Sequence, residues 1–395
     1  MATLLLIVIY AAFIALGIPD SLFGTAWPAI YEEWNLPISF SNFVTIICSL
    51  GGLVSGAFSA RLINRFGTKW VTAVSVALTA VTLLGCAVSP NFIWFCLLMI
   101  PLGVGGGAVD SALNNYVALH LSARHMSFLH CFYGVGITVS PALLSLAITS
   151  GGGWRGGYYL ATIVQSVITL LVFLSIPMWN KVQWGNKEEP QEEEKGITLS
   201  IREQMRLPGL LGVVGVFVFS CSIEVICGGW GSTYLVEFHG ETVDAAARLL
   251  LLYYVGMTLG RFLSGVLAKR MKEWAIIYTG LSVVGVGVVL VFVGIWSPIV
   301  TGIALFFVGM GNGPIYPNFM HLTPQNFGRE YSQSVMSTQV TAAYTGIMLT
   351  PIIFGVVAQH IGTHIFPYFL GGAVVLLVAS TFYTRAKIKH APKEK

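Results

Sequence analysis

Twelve apolar stretches of roughly 20 residues follow one another along this chain, and they decide what it can fold into. They run over 3–29, 41–62, 70–89, 92–119, 127–149, 157–179, 208–236, 249–268, 275–296, 298–320, 334–359 and 365–384. A helix of that length matches the ~30 Å hydrocarbon core of a bilayer. With no water there, the backbone must bond to itself, so each stretch is expected to be a transmembrane helix. Of the 395 residues, 55% are hydrophobic and 10% charged, and the mean hydropathy is +0.77; soluble domains carry about 25% charge. The first stretch is too long for a cleavable leader and has no small-residue cleavage site, so it reads as helix 1.

Basic residues resist translocation, and their placement orients the chain. With both termini in the cytoplasm, every Lys and Arg except Arg155, Arg248 and Arg261 falls on the inner side: Arg61, Arg65, Lys69, Arg124, the linker residues, Lys269 to Lys272, Arg329 and the C-terminal tail. The net charge of +4 thus reports orientation in a plasma (cytoplasmic) membrane, and nothing supports a nucleic-acid partner. The six cysteines all lie in apolar runs, as small packing residues do, so neither a disulfide frame nor a metal site is expected.

The polar stretch 181–207 divides the runs six and six. It is expected to be a solvated cytoplasmic linker, carrying the acidic cluster Glu188, Glu189, Glu192, Glu193 and Glu194. The domains are therefore 1–180, the linker 181–207, and 208–395. The two halves repeat each other. GGLVSGAFSARL (51–62) returns as GRFLSGVLAKRM (260–271), GVGGG (103–107) as GMGNG (309–313), and GITVSP (136–141) as GIMLTP (346–351). YYL (158–160) returns as YFL (368–370), and DSLFGTAW (20–27) is echoed by EVICGGW (224–230). The expected fold is all-α: twelve transmembrane helices in two pseudo-symmetric six-helix bundles, the plan of the major facilitator superfamily, with the solute path between the halves near the bilayer midplane. The loop ARLINRFGTK (60–69) resembles that superfamily's signature, with Ala60 where Gly is usual and Asn64 where Asp is usual.

A charge at mid-membrane costs at least about 2.5–3.5 kcal/mol, so each one calls for a reason. The deep ionisable residues are Asp20 (helix 1), Asp110 (helix 4) and Glu224 (helix 7), with Arg261 (helix 8) and His130 (helix 5) nearer the cytoplasm. Asp110 and Asn114 share a helical face, and Asn115 is turned about 100° from Asn114. The glycines of GVGGG read as helix packing. A carboxyl that is neutral when dry and charged when wet suits proton coupling. A rise of 1.5 Å per residue puts Asp20 roughly 7 Å outward and Asp110 roughly 7 Å inward of their helix midpoints, where the two could pass one proton.

Asp20, Asp110 and Glu224 are the candidate proton-coupling residues, and Asn114, Asn115, Trp27, Trp230, His130, Asn318, Gln165 and Gln339 the candidate substrate ligands. A Trp face against a sugar ring, with carboxylates and amides on its hydroxyls, is carbohydrate-site chemistry. Trp27 suits an interfacial belt equally well. His130 and Arg261, close to the inner ends, also suit anchoring.

On these residues the chain resembles the fucose-galactose-glucose:proton symporter branch of the superfamily along its whole length. The motifs are Asp110-x3-Asn114-Asn115-Tyr116; His130 with FYGVG and Pro141; Glu224 with GGW and TYL; and PIYPNF (314–319). The resemblance implies proton coupling and a sugar, with Asp20 and Asp110 matching that branch's functional acids; Asp110 is an Asp where fucose permease has Glu. The expectation is a proton-coupled sugar importer, a functional monomer in the lipid bilayer with no cofactor beyond a proton or sodium gradient. An exporter of drugs or other organic solutes is the alternative. An organic-anion carrier would need a central cation, which only Arg261 offers. An enzyme is not expected: an intramembrane aspartyl protease needs Gly-x-Gly-Asp, and Val109 and Ala108 precede Asp110.

Overall fold

A computed structural model describes residues 2–37, 40–182 and 197–389. The acidic linker cluster and the last tail lysines lie outside the described residues. Among those described, twelve helices are long and apolar enough to cross a membrane. In chain order, helices 1 to 6 are Ala2–Glu33, Ser41–Phe66, Thr68–Ala87, Phe92–His120, Ala123–Thr149 and Gly153–Trp179. Helices 7 to 9 are Leu210–Glu237, Val243–Leu267 and Glu273–Val293. Helices 10 to 12 are Pro298–Phe327, Ser332–Ile361 and Phe366–Lys389.

Every apolar run is recovered, and the differences lie at the ends and at one interior break. Helix 8 begins six residues before its apolar run because the Thr242 side chain accepts from the Ala245 N–H and caps it. Helix 10 breaks at Gly313–Pro314 into Pro298–Asn312 and Ile315–Phe327, since proline cannot donate to the preceding turn.

The chain forms two compact units. The first holds residues 1–121, 129–198 and 329–341, and the second 122–128, 199–328 and 342–395. Thus the start of helix 11 groups with the first unit and the start of helix 5 with the second, a departure from the simple 1–180 and 208–395 division. The repeat is visible in the packing. Helices 2 and 4, 3 and 4, and 1 and 6 are neighbours in the first unit, as are helices 8 and 10, 9 and 10, and 7 and 12 in the second. The glycines make these contacts: a Cβ on Gly103 would overlap the Cys48 carbonyl of helix 2, and one on Gly309 the Tyr253 carbonyl of helix 8. GVGGG and GMGNG therefore serve the scaffold by letting backbones touch.

Asn64, the residue standing where the signature has Asp, donates from Nδ2 to Thr198 Oγ1 at 2.9 Å. The linker's end is then held by Ile197 N–H to the Glu330 carbonyl (2.8 Å) and by Ser334 Oγ to the Ile197 carbonyl (2.8 Å). Residues 201–204 add one helical turn, closed by a Ser200–Glu203 capping box.

Candidate functional site

Helices 1, 4 and 5 build the densest set of chemistry-bearing side chains in the first unit. Spacing of four residues puts Asp110 and Asn114 on one face of helix 4. The Asn114 Nδ2 donates to Asp110 Oδ1 and to the Asp110 carbonyl, both at 2.8 Å. Its Oδ1 therefore faces the other way and accepts from His130 Nε2 at 3.0 Å, which requires the tautomer or cation with a proton on Nε2. Asn114 is fully buried and His130 is buried. The amide is a bridge, carrying the position of the helix 5 imidazole to the helix 4 carboxyl. The edge of Phe13 on helix 1 packs against the imidazole, ring centroids 5.3 Å apart.

One turn further along helix 5, the Tyr133 hydroxyl donates to Asp20 Oδ2 at 2.5 Å. Helices 1 and 5 come this close because Gly17 and Gly136 have no side chains; a Cβ on Gly136 would strike the Ile14 carbonyl. Two further bonds tie them: Ser21 Oγ donates to the Ile137 carbonyl (2.7 Å) and Ser140 Oγ to the Ile18 carbonyl (2.8 Å). Asp20 itself is exposed, on a stripe with Gly24, and a Cβ added at Gly24 meets nothing within 4 Å. Open space thus adjoins the carboxyl. Tyr133, inside the FYGVG motif, has no role assigned from sequence; its three-residue spacing from His130 is the signal that points to it.

Asn115 does not join this set. Turned from Asn114 as its position dictates, its Oδ1 accepts from Ser332 Oγ (2.7 Å) at the start of helix 11. Beside it, Ser59 Oγ lies 2.8 Å from Ser111 Oγ and 2.6 Å from Ser337 Oγ, and Gln333 Nε2 donates to Ser111 Oγ. Gln339 is fully buried in the same segment. A second polar trio occurs in the second unit, where Ser264 Oγ lies 2.9 Å from Ser127 Oγ and accepts from Asn318 Nδ2 at 2.8 Å. Ser127 and Ser337 are separated by the same 210 residues as GITVSP and GIMLTP, so this one serine recurs in the duplicated frame, whereas Ser264 lines up with Ser55 and Ser59 with Ala268.

Trp27 is buried in an aromatic core with Phe23, Tyr31 and Phe92. Gln165 is buried and donates to Thr79 Oγ1 at 2.6 Å, joining helices 3 and 6. In the second unit, Arg261 Nη2 lies 3.7 Å from Glu224 Oε2, with the arginine side chain 6% and the glutamate 33% exposed. Trp230 is partly open and packs on Phe354 at 5.0 Å. Asn312 and Ser220 exchange two bonds between helices 7 and 10, a pair that sequence alone does not signal because Asn312 sits among glycines. No group of three or more His, Cys, Asp or Glu residues able to hold a metal occurs among the described residues.

A family model described as Major Facilitator Superfamily matches residues 9–351. The chain belongs to that superfamily. Among its relatives, the uncharacterized MFS-type transporter YfkL of Bacillus subtilis (strain 168) is 24% identical over 394 residues, covering 96% of this chain and 95% of its own. The probable sulfoacetate transporter SauU of Cupriavidus necator is 23% identical over 400 residues, covering 94% and 91%. Among solved structures, the E. coli fucose:proton symporter FucP superposes with a TM-score of 0.76 at 14% identity, covering 97% of this chain and 98% of that one. The proton:xylose symporter XylE gives 0.77 at 13%, covering 96% and 95%. At such identities the structural likeness speaks for the fold. This facilitator is a multi-pass membrane transporter of a small-molecule substrate.

Proposed function

We propose that this facilitator is a secondary active transporter that imports a sugar or similar polyhydroxylated solute together with protons, by alternating access, across the cytoplasmic membrane with both termini inside. The observation that carries the reading is the pair of carboxyls in the first unit, each bonded to a neutral donor of fixed geometry. Asp20 has the Tyr133 hydroxyl and Asp110 has the Asn114 amide. A carboxylate turned to lipid would be far costlier than one turned to water, so the exposure of Asp20 supports an aqueous path beside it. Uptake and loss of a proton at a carboxyl follow its wetting, and solute hydroxyls supply the hydrogen bonds that wetting otherwise provides.

The substrate side rests on two partly open side chains of helix 7, Glu224 and Trp230. A second reading, an organic-anion carrier, draws on the buried Arg261 beside Glu224 and on the sulfoacetate named for the SauU relative. A carboxylate or sulfonate would compete with Glu224 for the guanidinium, which takes planar anions in two-pronged fashion. Uptake into proteoliposomes under an imposed pH gradient, with labelled hexoses in one arm and small carboxylates and sulfonates in the other, separates the two. Gradient-driven hexose accumulation that unlabelled anions leave unchanged supports the first reading. Anion accumulation lost in Arg261→Gln supports the second.

A further inference from the structure

Helix 5 presents two polar side chains one turn apart to the two acids. His130 reaches Asp110 through the Asn114 amide, and Tyr133 reaches Asp20 directly. A Tyr133–Asp20 separation of 2.5 Å falls in the range of an O–H donor on a charged carboxylate, about 2.5–2.7 Å, which is roughly twice as strong as a neutral bond. The same hydroxyl carries lone pairs, so on protonation of Asp20 it turns from donor to acceptor without leaving its place.

We propose that Tyr133 is a positioning residue that sets the proton affinity of Asp20, holding the carboxylate charged on a surface that adjoins open space. The inference deepens the proton-coupling reading above and rests on it for its consequence in transport. Besides Tyr133, the Cys48 thiol of helix 2 is within electrostatic reach of Asp20. Helices 4 and 6 meet the outer part of helix 1 through the aromatic core of Phe95, Trp154 and Tyr158. Removing the hydroxyl withdraws a donor that favours the charged form, and the carboxyl then takes up its proton more readily. A bond of this class corresponds to about one pH unit, a tenfold change in proton affinity.

The test is pH-difference infrared spectroscopy on the purified full-length chain in lipid nanodiscs, reading the carboxyl C=O band that Asp20→Asn removes. In Tyr133→Phe that band titrates about one unit higher in pH than in wild type. Tyr133→Leu, a second way of removing the hydroxyl, shifts it in the same direction. A mid-point unmoved in a Tyr133→Phe protein that melts as wild type does would overturn the proposal, as would the absence of any Asp20-dependent band across the titration. The spectrum needs no substrate, so failure of hexose uptake in wild type counts against the sugar reading alone, while a stationary band counts against Tyr133.

Discussion

Replacing Asn114 by Ala removes a buried carboxamide and three hydrogen bonds, of which the one to His130 crosses between helices. Alanine is the best helix former, so helix 4 itself loses nothing locally. The cost lies in the partners. Interhelical hydrogen bonds in membrane proteins are worth about 0.6 kcal/mol on average and up to about 1.7, while a buried imidazole N–H left unpaired costs about 1–3 kcal/mol. The small volume vacated adds to this, and Asn114→Ala is expected to destabilise the protein by about 2–3 kcal/mol. The decisive quantity is the coupling with His130. In a cycle of Asn114→Ala, His130→Ala and the double variant, measured by reversible unfolding in mixed micelles, the second removal meets a bond already gone, so the double variant loses less than the sum by about 0.6–1.7 kcal/mol. Additivity within about 0.3 kcal/mol would refute the bridge between helices 4 and 5.

Gly103→Val should abolish the folded monomer in size-exclusion chromatography, because its Cβ has nowhere to go against the Cys48 carbonyl; Gly229→Ala, whose Cβ meets nothing within 4 Å, should elute and melt as wild type. Ser59→Cys combined with Ser337→Cys should cross-link under mild oxidation, since the two hydroxyl oxygens lie 2.6 Å apart, and should arrest uptake until reduced if the start of helix 11 must leave helix 2 during transport. His239 stands beyond the end of helix 7 with its Nε2 3.2 Å from Thr301 Oγ1 and the rings of Tyr234 and Phe238 against it. Burial lowers its pKa, so below about pH 6.5 the unfolded chain binds the proton more readily. Stability should fall as pH drops through that region, and His239→Gln should flatten this part of the melting-temperature profile.

The twelve helices are legible because hydropathy reports the thickness of the bilayer, which is the same for every span. Their ends are less so. Helix 8 starts at a threonine cap and helix 10 breaks at Gly313–Pro314, and both are decided by single backbone groups within stretches that differ little in polarity. Asp110 and Asn114 are readable as a pair because i and i+4 share a face whatever the tertiary structure. Asn115 is readable only as turned away; that it meets Ser332, 217 residues on, depends on the start of helix 11 joining the first unit. Tyr133 escapes notice for another reason. A tyrosine in an apolar run reads as packing until the approach of helix 1, permitted by Gly17 and Gly136, gives its hydroxyl a carboxylate.

The central claim, that a carboxyl on helix 4 couples proton movement to solute, is tested most directly by uptake of labelled hexoses into proteoliposomes under a gradient of one pH unit, wild type against Asp110→Asn. The substitution keeps one oxygen for the Asn114 amide and replaces the titratable oxygen with an NH2 that cannot carry the proton. With one proton per solute, wild type should accumulate hexose about tenfold, while Asp110→Asn should equilibrate hexose without concentrating it. Full gradient-driven accumulation by Asp110→Asn would contradict the account.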